Sequence, residues 1–72
     1  MARLYLLFHS THETLKAESL LRDAGLSCRV VQKPAAIRVD CGLAVRALPE
    51  DRDRALETLD RSGIRPRGVF TV

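Results

Sequence analysis

Seventy-two residues make one domain, 1–72, and such a chain buries only about 60% of the surface its unfolded form exposes, which excludes a deep, enclosed active site. A composition of 46% hydrophobic and 29% charged residues excludes disorder, and the early apolar run Leu4-Tyr5-Leu6-Leu7-Phe8 falls far short of the roughly 20 residues of a membrane helix and lacks a signal-peptide cleavage pattern, so the cytoplasm is the expected address. The net charge of +3 is mild, and acids are interleaved with the bases in both helical segments, so the chain lacks the dense basic stripe of a nucleic-acid binder.

Residues 3–9 alternate with Leu4, Leu6 and Phe8 on one side, which predicts a central strand. Ser10-Thr11-His12-Glu13 follows as a capping box: a hydroxyl that accepts from the first free amides, then a glutamate reaching back. The helix it opens carries Ala17, Leu20, Leu21 and Ala24 on one face, leaves Leu15 outside that stripe, and ends at Gly25.

Residues 27–33 predict a second strand, with Cys28 and Val30 alternating against Arg29 and Val31, and Pro34 closes it. The connection over 34–41 is longer than a hairpin needs, a common mark of a functional loop, and residues 42–47 supply a third strand. Pro49, Glu50 and Asp51 suit the start of a second helix, whose inner face is Ala55, Leu56 and Leu59 and whose end is Gly63. Residues 67–72 form the last strand.

The order βαββαβ, with residues 21–29 echoed by residues 59–67, predicts a ferredoxin-like α+β domain: two helices on one face of a four-stranded antiparallel sheet, the other face open. In that topology the end of strand one, the start of helix one and the loop before strand three share a rim. Cys41 is then expected near His9, Ser10, Thr11 and His12.

A helix N-terminus favours a thiolate over a thiol, Arg38 and the histidines add to that, and Gly42 clears space beside the sulfur. Asp40 opposes it. Cys28, at the far end of the sheet, reads as a small buried hydrophobe that cannot bridge to Cys41. Nothing in the spacing of histidines and cysteines matches a zinc pattern, so no metal is expected.

Leu7-Phe8-His9-Ser10-Thr11-His12, Ala17-Glu18, Leu20-Leu21, Ala24-Gly25, Cys41-Gly42-Leu43-Ala44 and Pro49-Glu50-Asp51 together resemble the selenium/sulfur carrier protein-like family over nearly the whole chain. The resemblance implies a cytoplasmic carrier that holds sulfur or selenium as a persulfide or selenosulfide on Cys41. It would receive the atom from a donor such as a cysteine desulfurase and hand it to an acceptor protein. The chain has no motif for pyridoxal phosphate, a nucleotide or a metal cluster, so no cofactor is expected and it reads as a relay more than as an enzyme.

A second reading makes it a non-catalytic regulatory or dimerisation module that uses the open sheet face, with Tyr5 and Leu7 at the contact. A third, RNA recognition, is weakened because the strand over 42–47 carries no aromatic residue for base stacking.

Overall fold

A computed structural model describes residues 2–39 and 42–72. Strand β1 (Leu4–Leu7) runs into helix α1 (Thr11–Asp23), then strands β2 (Cys28–Gln32) and β3 (Leu43–Ala47). A 3-10 turn (Pro49–Asp51) leads into helix α2 (Arg52–Arg61), and β4 (Gly68–Thr71) ends the fold. Each strand is shorter than the run that predicts it, although backbone pairing continues past the strand ends: Arg3 and Val72 exchange hydrogen bonds, and the Lys33 N–H donates to the Gly42 carbonyl.

The strands form one antiparallel sheet in the order β2-β3-β1-β4. Two-residue periodicity sorts its faces. Leu4, Leu6, Val45 and Ala47 share a buried cluster with Ala17 and Leu21 of α1 and Ala55 and Leu59 of α2, so both helices lie against the same face. Leu15 is 52% exposed, outside this stripe.

Local chemistry sets the helix ends. The Ser10 side chain accepts from the Glu13 N–H at 3.1 Å and starts α1. Gly25 and Gly63 stop the two helices with φ of 85° and 74°, a region that side chains with a Cβ avoid. In both, the next residue donates back into the last turn, Leu26 N–H to the Leu21 carbonyl and Ile64 N–H to the Leu59 carbonyl. The echo between the two halves of the sequence is thus an echo of two identical helix stops.

The edge strand β2 is fastened to α1 by Glu18. Its carboxylate accepts from the Val30 N–H at 2.9 Å, and its backbone carbonyl accepts from the Cys28 thiol at 3.6 Å.

The second sheet face differs from expectation. It is not open along its length, because the β2–β3 connection folds back over it: Ile37 is 2% exposed and packs with Leu7 and Ala44, flanked by Tyr5, Val39 and Phe70. Leu7, expected at an open contact surface, is fully buried within one chain. A turn in which the Ile37 N–H donates to the Pro34 carbonyl, and a bond from Lys33 Nζ to the Ile37 carbonyl, hold the connection in this fold-back.

Candidate functional site

Strand directions decide which residues share a rim. Leu6 lies opposite Val45 and Gln32 opposite Leu43, so the chain leaves β1 and β2 where it enters β3. His9, Ser10, Thr11 and His12 follow β1 at this rim, and all four are exposed. Gly42 precedes β3 at the same rim, with its carbonyl accepting from the Lys33 N–H at 2.9 Å. Arg38 is exposed in the connection, next to buried Ile37. Cys41 and Asp40 lie outside the described residues.

Gly42 has neither a left-handed φ nor a crowded neighbourhood: a side-chain carbon built there would meet nothing within 4 Å. Neither backbone conformation nor packing among the described residues therefore excludes a Cβ at this position.

At the start of α1 the amide account is specific. The Glu13 N–H goes to the Ser10 hydroxyl and the Thr14 N–H to the Ser10 carbonyl, which also accepts from the Thr14 hydroxyl. The N–H groups of Thr11 and His12 have no acceptor among the described residues, which leaves the positive end of the helix dipole facing the rim. Ser10 is thus consumed as a cap. Glu13 sets its carboxylate at the same end, accepting from the His9 N–H at 3.4 Å, and its negative charge works against an anion there.

One rim residue escapes the sequence reading. Arg67 donates its backbone N–H to the Leu7 carbonyl at 2.7 Å, because β4 starts beside the end of β1, with Gly68 opposite Leu7. An exposed arginine thereby joins His9 to His12 and Gly42 at this rim. Only the antiparallel pairing of first and last strands signals it.

Cys28 occupies the opposite rim, opposite Ala47, which in turn faces Leu4. It is half-buried, not fully enclosed. Burial pushes its thiol above the ordinary range, the Glu18 carboxylate pushes the same way, and the Arg22 guanidinium opposes both. Such a thiol is a poor nucleophile at neutral pH.

A protein-family model described as "Putative Se/S carrier protein-like" matches residues 3–71. No curated protein matches the sequence.

Proposed function

We propose, from the premise that this chain belongs to the Putative Se/S carrier protein-like family, that it is a cytoplasmic carrier with Cys41 as the loading thiol. Its strand order and the single helical face suit the ferredoxin-like arrangement of two interleaved split βαβ units.

The Cys41 thiolate attacks the outer sulfur of a persulfide on a donor such as a cysteine desulfurase. The donor's S–S bond breaks, its thiolate leaves, and Cys41 carries the persulfide. An acceptor nucleophile attacks that same outer atom and returns the Cys41 thiolate. With selenium as the outer atom the balance is identical, and no redox partner is needed.

The observation that carries this reading is Gly42. A Cβ there would meet nothing within 4 Å and the backbone is not left-handed, whereas two macromolecules passing an atom between their sulfurs need a bare approach beside the thiol. The two α1 amides with no acceptor among the described residues, and the exposed Arg38 and Arg67 on the same side of the domain, support ionisation of a thiol at that rim. The rival reading, dimerisation through the outer sheet face, loses part of the surface it needs, since Ile37 already covers Leu7 and Ala44.

The test is the intact mass of protein purified without reductant. One added sulfur or selenium atom, removed by a reducing thiol, is expected on the wild type and on Cys28→Ser but not on Cys41→Ser. Loading that persists in Cys41→Ser overturns the assignment.

A further inference from the structure

Arg3, Arg22, Arg29 and Arg46 are scattered along the chain, yet all four line one cleft of about 850 Å³ at the Cys28 rim. No carboxylate side chain lines that cleft among the described residues, and none of the four guanidinium groups forms an ion pair there. Arg29 on β2 lies directly opposite Arg46 on β3. Like charges placed so cost a sheet stability. Among the described residues no carboxylate pairs with either guanidinium, and an anionic ligand would offset that cost.

The register supplies a second, independent observation. Arg29 faces Arg46, Arg46 faces Tyr5, and Tyr5 faces Phe70, so one row crosses all four strands as guanidinium, guanidinium, aromatic, aromatic. With neighbouring strands about 4.8 Å apart, the row spans roughly 14 Å. It lies on the outer face, where Ile37 covers Leu7 and Ala44 but leaves Tyr5 and Phe70 half-buried and Arg29 and Arg46 exposed.

Guanidinium forks take phosphates in bidentate fashion, and aromatic faces stack with bases. An acidic peptide would engage the arginines and leave the aromatic pair idle. Against the expectation from the scattered charges and from a third strand without aromatics, we propose that this row and the adjoining cleft bind single-stranded nucleic acid, with phosphates on the four arginines and bases on Tyr5 and Phe70. The site lies at the rim opposite Gly42 and the start of α1, so it stands or falls independently of sulfur loading on Cys41.

The experiment is fluorescence anisotropy of a short fluorescein-labelled oligouridylate titrated with the full chain at several salt concentrations. Four phosphate contacts predict a slope of log affinity against log salt of about −2.8, or about a 50-fold loss for a fourfold rise in salt. The double variant Arg29→Ala/Arg46→Ala should flatten that slope by about 1.4 while keeping the fold and the loading of Cys41. Tyr5→Leu and Phe70→Leu should each weaken binding on the order of tenfold and leave the slope in place. Absence of binding at low salt overturns the proposal. So does displacement by hexaglutamate as effective as that by unlabelled oligouridylate, and so do aromatic variants that bind like wild type.

Discussion

Ile37→Ala tests whether the long connection is anchored or loose. The side chain is 2% exposed against Leu7 and Ala44, and the change removes three carbon atoms from an apolar contact. At about 0.8 kcal/mol per buried methylene the transfer loss is about 2.4 kcal/mol. The cavity contribution is small, because the site lies beneath a surface loop that can collapse onto it. A chain of this size has a total stability of roughly 4–11 kcal/mol, so the substitution removes a large share. The melting temperature should fall by roughly 10–20 °C. Thermal unfolding followed by circular dichroism at neutral pH measures this, with Leu15→Ala as the control at a site 52% exposed, where a change within about 0.5 kcal/mol is expected. If Ile37→Ala melts with Leu15→Ala, the fold-back contributes nothing and the account of the outer face fails.

Burial raises the Cys28 thiol in the folded chain, with Glu18 adding to it. Its stabilising contribution is therefore complete below the ordinary thiol range and is lost as pH rises through the folded value. Urea midpoints should decline at alkaline pH more steeply for wild type than for Cys28→Ala, and parallel declines would refute the assignment. Alkylation of Cys28 by iodoacetamide at neutral pH should be slower than that of free cysteine. Ser10→Ala removes the acceptor of the Glu13 amide and should cost about 1 kcal/mol in a urea melt. Gly25→Ala forces a Cβ into a φ of 85° and should cost about 1–2 kcal/mol, whereas Gly42→Ala should change stability by less than about 0.5 kcal/mol yet slow sulfur transfer to a partner protein.

What could be read from sequence was what is decided locally. Ser10, Gly25 and Gly63 announce helix ends because capping depends on a handful of neighbouring residues. The inner sheet face is visible because Leu4 and Leu6 alternate with Tyr5 and Leu7. The placement of Ile37 was not visible: a single isoleucine among Pro34, Ala35 and Ala36 has no period, and its direction is fixed only when the turn to the Pro34 carbonyl closes. The arginine cleft was hidden for the same reason. Arg29 and Arg46 look scattered until strand pairing sets them opposite each other, and Arg67 reaches the candidate rim only because the last strand pairs with the first. Cys41 was legible through the Cys41-Gly42-Leu43 motif and the family it resembles, since no periodicity marks a reactive thiol.

Glu18 occupies the outward amide of Val30, and this has a bearing on how the protein behaves when concentrated. A bare outermost strand is a template onto which another chain can zip its own backbone, the first step of open-ended stacking. A carboxylate seated on that amide breaks the template midway along β2 and brings a negative charge to meet any incoming strand. A domain this small must remain dispersed while meeting other macromolecules, and one helical side chain guards that border against its own copies.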